Sequence, residues 1–144
     1  MTDMRETYEE FLMAVSRYTP LVPLNDVDKF IIFKRGIRRM FIDTGRADKY
    51  DPAMFTENRL DNVNFEMGHD EQYYVLLAAQ VAFYKQMAAD VSQPNRITQH
   101  KTDALTVTFS DKSNAELVGR IADIEQEMRE IYHKMPQFVE VLGG

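Results

Sequence analysis

The chain has 144 residues, with 17 Lys and Arg against 23 Asp and Glu, a formal net charge of −6 and no cysteine. That length suits one domain with an ordinary hydrophobic core. The acidic balance speaks against a general nucleic-acid binder, and the lack of cysteine removes disulfides, thiolate nucleophiles and zinc–thiolate sites.

The start, Met1-Thr2-Asp3-Met4-Arg5-Glu6, lacks the basic opening and apolar core of a secretory signal. A first helix is predicted over Met4 to Arg17. Tyr8, Phe11, Leu12 and Val15 fall on one side of it, with Glu6, Glu9 and Glu10 mostly on the other. Thr19-Pro20 and Val22-Pro23 break the pattern, since a proline disfavours helical backbone in the residue before it. A second helix is predicted from Asn25 or Asp26, either able to cap free amides, to Thr44, where Gly45 supplies a left-handed close. Its core face is Phe30, Phe33, Ile37, Met40 and Phe41. From Arg46 to Gly68 the turn-rich pairs Asp51-Pro52, Glu57-Asn58 and Asp61-Asn62 indicate a long ordered connection. Met54, Phe55, Leu60, Val63 and Phe65 would pin it to the bundle.

A third helix is predicted from Asp70 to Ser92. Its run from Tyr73 to Ala79, continued through Val81 to Tyr84, is apolar on most sides, as in a helix covered all round. The longest apolar run, Val75 to Ala79, is too short to span a bilayer, so a soluble protein is expected. After Pro94, the alternation Leu105-Thr106-Val107-Thr108-Phe109 predicts a half-buried strand, with Ile97 to His100 as its hairpin partner around Thr102-Asp103. Ser113 and Glu116 match a capping box for a last helix. Leu117, Ile121, Ile124, Met128, Ile131 and Met135 form the buried stripe of that helix. Pro136 ends it, leaving an apolar tail. The expected fold is therefore mainly α: a single domain over 1–144, a bundle of about four helices, with a projecting β-hairpin or extended arm over 94–112 and a docking tail over 136–144.

Chemistry is harder to find. Two Glu-x-x-His pairs, Glu66/His69 and Glu130/His133, have the spacing used in dimetal four-helix proteins. The first pair flanks Gly68 at a helix start and the second lies off the core stripe, so no metal is expected. Ser16, Ser92, Ser110 and Ser113 are scattered and none sits in a glycine-flanked elbow. No glycine-rich phosphate loop follows a strand. The expectation is a protein without catalytic residues or cofactor.

One surface stands out. On the second helix, Lys34, Arg35, Arg38 and Arg39 share an arc with Val27, Ile31 and Ile32. A solvated basic face, a protein interface and a channel lining that contacts DNA phosphates all fit this arc. The first and last helices carry acids (Glu6, Glu9, Glu10; Asp123, Glu125, Glu127). Head-to-tail contact between basic and acidic faces would generate a ring or a filament.

This layout over Asn25 to Gly144 resembles the head–tail connector, or adaptor, proteins of tailed bacteriophages. The Phe/Ile-rich second helix, the Tyr/Ala-rich helix from Asp70, the Ile97–Phe109 arm and the short apolar tail carry the resemblance. So does the passage from Val107-Thr108-Phe109-Ser110 through Asp111-Lys112 into Ser113-Asn114-Ala115. The helix before Pro20 and the long Arg46–Gly68 connection depart from that pattern. The resemblance implies a structural virion protein, present in host cytoplasm before assembly, that forms a homo-oligomeric ring of about twelve copies. Such a ring docks under the portal, extends the DNA channel and meets a tail-side neck or stopper protein. It further implies portal docking through Phe138, Val139, Val141 and Leu142, and intersubunit contacts through Leu105, Val107 and Phe109. The alternatives are a regulatory or scaffolding bundle that dimerises or binds a partner helix, and another phage neck or tail-completion component.

Overall fold

A computed structural model describes residues 2–16, 24–91 and 104–135, the side chains of 89–91 and 104–114 excepted. Among the described residues four α-helices dominate: α1 (Arg5–Val15), α2 (Asp26–Asp43), α3 (His69–Val91) and α4 (Ala104–Tyr132). The expected mainly-α bundle is what forms. Between α2 and α3 lie three short 3-10 turns, Ala47–Lys49, Pro52–Met54 and Glu57–Asn62.

The ends of α2 follow from single residues. The Asn25 side chain accepts the Asp28 amide at 2.8 Å, satisfying a donor that the first turn leaves free. At the other end Gly45 takes φ 79°, a backbone region costly for side chains with a Cβ, and the chain turns away.

Helix α3 is the axle of the fold. It packs mainly against α2 and α4, and more lightly against α1. Val75, Leu77, Ala78, Ala79, Val81, Phe83, Tyr84 and Met87 are all buried along it, which accounts for the absence of a polar face in its sequence. On the α1–α2 side, Phe33 lies 4.9 Å from Tyr8 and 5.7 Å from Phe11, while Phe11 meets Phe83 edge-on at 6.2 Å. On the connector side, Phe41 packs on Phe65 at 4.7 Å and on Phe55 at 5.9 Å. Leu60 and Val63 are also buried, so the connection is pinned by the apolar residues that its sequence offers. Leu117, Ile124, Met128 and Met135 of α4 are buried, with Ile121 and Ile131 partly so.

Two contacts set the spacing of these parts. Gly36 lets α2 and α3 nearly touch: a Cβ there would fall 2.6 Å from the Ala79 nitrogen and 2.8 Å from its Cα. The segment before α1 is tied to the connector, with Thr2 and Val63 exchanging two backbone hydrogen bonds of 2.9 Å. The Thr2 hydroxyl also accepts the Met67 amide at 2.9 Å.

The structure corrects the arm. Residues 104–110 are helical and continuous with α4, so Leu105, Val107 and Phe109 belong to a helix and not to a strand. Each residue added to an existing helix gains a hydrogen bond without a new nucleation cost, whereas a lone two-stranded hairpin is marginal in water. Leu105 and Phe109 are also four apart, a spacing that suits one helical face as well as a strand. Ser113 lies well inside α4, so it does not cap that helix. The proposed partner strand, Ile97 to His100, and the tail from Pro136 lie outside the described residues.

Candidate functional site

Helix α2 has two unlike faces. Phe33, Ile37, Met40 and Phe41 are buried, whereas Val27, Ile31 and Ile42 are 63%, 46% and 50% exposed. Arg35 and Arg38 are exposed between them. Steps of four, four, three and four residues connect 27, 31, 35, 38 and 42, so these five side chains form one outward row. Among the described residues Arg35 and Arg38 make no ion pair. Burial raises the pKa of the nearby Tyr50 hydroxyl, and the positive charge of Arg38 pulls it the other way.

The structure divides the basic residues singled out in the sequence. Arg39 is committed within the fold: its guanidinium lies 3.3 Å from Asp43 and 3.8 Å from Glu125 of α4. Glu125 also sits 3.8 Å from Lys85 of α3, so three helices meet at one carboxylate. Each of these half-exposed pairs contributes at most about 1 kcal/mol. Lys34 is partly buried, its ammonium 6.0 Å from the centre of the Phe30 ring. Ile32, assigned to the arc from the sequence, is instead a core residue at 2% exposure. Ile42, missed in the sequence, completes the row. Its signal was its place four residues after Arg38.

A second polar feature lies along α1. Thr2, Asp3, Glu6, Thr7, Glu10, Glu66, His69 and Gln72 line an open groove of about 520 Å³ beside the start of α3. Glu6, Glu9, Glu10 and Met13 are exposed along α1, Met13 at 75%. Among the described residues no group of three His, Cys, Asp or Glu is placed to hold a metal ion. Glu66 and His69 are exposed at the start of α3, and Glu130 and His133 are exposed on and just past α4.

Sequence reasoning also missed the buried ion pair. Arg46 and Glu71 are joined directly, each side chain 11% exposed. The guanidinium stacks 5.2 Å from the Phe65 ring and 5.7 Å from Phe41, and its Nε donates to the Thr44 hydroxyl at 3.2 Å. The other Glu71 oxygen accepts the Gly68 amide at 3.1 Å, closing the first turn of α3. This pair locks the end of α2 to the beginning of α3. Its described partners all belong to the α2–α3 junction.

Of the remaining sequence-assigned residues, Leu105, Val107 and Phe109 lie in the first two turns of α4, while Phe138, Val139, Val141 and Leu142 are outside the described residues. Among the described residues no helix is long and apolar enough to cross a membrane. No protein-family model, curated protein or solved structure matches this chain.

Proposed function

We propose that this chain is a structural assembly subunit, working as a head–tail connector of a tailed bacteriophage virion. In that role copies associate into a ring under the portal, around the DNA channel, and join the head to a tail-side neck protein. The observation that carries the self-association is the row Val27, Ile31, Arg35, Arg38 and Ile42. Three branched apolar side chains left in water beside two arginines match the composition of protein interfaces. A mainly-α bundle agrees with the resemblance read from the sequence. The terminal residues Phe138, Val139, Val141 and Leu142 are the proposed portal anchor, and Leu105, Val107 and Phe109 remain proposed intersubunit contacts, now as part of a helix.

Sedimentation equilibrium over a wide concentration range, on the wild-type chain and on Arg35→Glu/Arg38→Glu, tests the reading. Concentration-dependent growth beyond a dimer that the double variant loses supports it. A closed dimer indifferent to these charges favours a regulatory bundle instead. Pulldown by a portal assembly with and without residues Gln137 to Gly144 tests the anchor. Undiminished capture of the truncated chain removes the tail from that role.

A further inference from the structure

We propose, building on the self-assembly reading above, that the α2 row docks on the exposed α1 face of a second copy, in a head-to-tail contact. The first argument is charge. The chain carries a net charge of −6, so two copies repel unless a basic surface meets an acidic one. Arg35 and Arg38 supply the former, and Glu6, Glu9 and Glu10 the latter, all exposed.

The second argument is register. At about 1.5 Å per residue, Arg35 and Arg38 lie about 4.5 Å apart along α2, and Glu6 and Glu10 about 6 Å apart along α1. One turn beyond the arginines lie Ile31 on one side and Ile42 on the other. One turn beyond Glu10 lies Met13, 75% exposed. Acid, acid, apolar on α1 therefore meets arginine, arginine, apolar on α2 in the same order, with steps that differ by about 1.5 Å, an offset that the long Arg and Glu side chains span. Met13 is long and unbranched, so it adapts to either isoleucine.

The third argument disfavours the symmetric choice. The α2 row is centred near Arg35, so a twofold contact of the row with itself would set the Arg35 side chains of both copies against each other. Like charges in that position oppose association. A contact between two different faces leaves the α2 row of one copy and the α1 face of the other free, and such contacts propagate into rings or open filaments.

Charge exchange tests the pairing. Arg35→Glu/Arg38→Glu and Glu6→Arg/Glu10→Arg change exposed positions, and circular dichroism checks that both variants fold. Each alone should weaken self-association by at least about tenfold, because every contact then opposes like charges. An equimolar mixture should regain association, since the acidic row of one variant meets the basic α1 of the other. The wild-type row and α1 face meet at the alternate junctions. A chain carrying all four changes should associate alone. Cysteine pairs add a geometric readout, because the native chain contains none. Ile31→Cys mixed with Met13→Cys should give the mixed disulfide dimer in preference to either homodimer.

If the wild type associates but the mixture does not recover, the α2–α1 pairing is overturned and the assembly reading stands on other surfaces. A wild type that stays monomeric at millimolar concentration overturns both. Duplex DNA binding that depends on Arg35 and Arg38, with no oligomer formed, likewise overturns the pairing in favour of a channel role.

Discussion

Two glycines in helix interiors should respond to the same substitution with opposite signs. Replacing glycine by alanine in a helix gains about 0.8–1 kcal/mol, because the unfolded chain has less backbone freedom to lose. At Gly119 of α4 a Cβ meets nothing within 4 Å, so Gly119→Ala should collect most of that gain. At Gly36 the same methyl would lie 2.6 Å from the Ala79 nitrogen and 2.8 Å from Ala79 Cα. Those atoms are backbone of a buried helix and cannot swing aside. Relieving the clash requires α2 and α3 to separate along their whole contact, which loosens the packing of Phe33, Ile37 and Met40. Overpacking costs about 1–3 kcal/mol, and a clash against backbone belongs in the upper part of that range. The net loss for Gly36→Ala is then about 1–2 kcal/mol, and the two variants should differ by about 2–3 kcal/mol. Urea unfolding followed by far-ultraviolet circular dichroism measures both midpoints, with an unchanged slope showing that the unfolded state is not altered. A Gly36→Ala protein as stable as Gly119→Ala would refute the close α2–α3 contact.

Ile124, 6% exposed on α4, should cost about 2–5 kcal/mol when cut to alanine, and a negligible shift in the unfolding midpoint would remove it from the core. Glu71→Ala strands the Arg46 guanidinium between Phe41 and Phe65 and should cost about 3 kcal/mol or more. Arg46→Met/Glu71→Leu, which removes both charges, should cost less; chemical denaturation that ranks the double variant as the less stable would contradict this. Alkaline titration should find late tyrosines. Burial, with the charges of Glu57 and Asp26, pushes Tyr8 up to about 12 from 10.0, and the hydrogen bond to Glu127, then burial, takes Tyr73 to about 12. Burial and a hydrogen bond to Asp43 raise Tyr74 as well. Because the folded state holds these protons more tightly, their contribution is whole below pH 10 and is lost as pH rises from 10 toward 12. Ultraviolet difference spectra in which all tyrosines ionise together near pH 10 while the protein remains folded would contradict the burial.

Local chemistry was legible where local chemistry decides the outcome. Asn25 and Gly45 bound α2 because a cap and a left-handed turn depend on one residue each. The apolar stripe from Leu117 to Met135 read as one side of a helix, and one side is buried. The Leu105–Phe109 segment misled because threonine and valine alternate there with period two, while the chain follows a helix that needs no partner strand. Ser113 and Glu116 carry the letters of a capping box inside a longer helix, since the motif does not specify what precedes it. Ile32 misled for another reason: a helical wheel gives an angle but not how widely the neighbouring helices cover it. Arg46 and Glu71 are 25 residues apart. Nothing in their local sequence pairs them, because the pairing exists only once α2 and α3 have met. Gly36 is equally silent until the position of Ala79 is known.

The helices are not equal partners in cohesion. Among the described residues helix α4 touches the rest chiefly through α3, and no described α4 side chain belongs to the aromatic clusters built on Phe33 and Phe41. Lifting α4 away would uncover one flank of α3 and break the contacts of Glu125 with Arg39 and Lys85, yet leave both clusters and the Thr2–Val63 clasp whole. Withdrawing α3 would leave α1 and α2 joined through the rings of Tyr8, Phe11 and Phe33. Helix α4 can therefore open as a unit, losing its hydrogen-exchange protection while both clusters keep theirs.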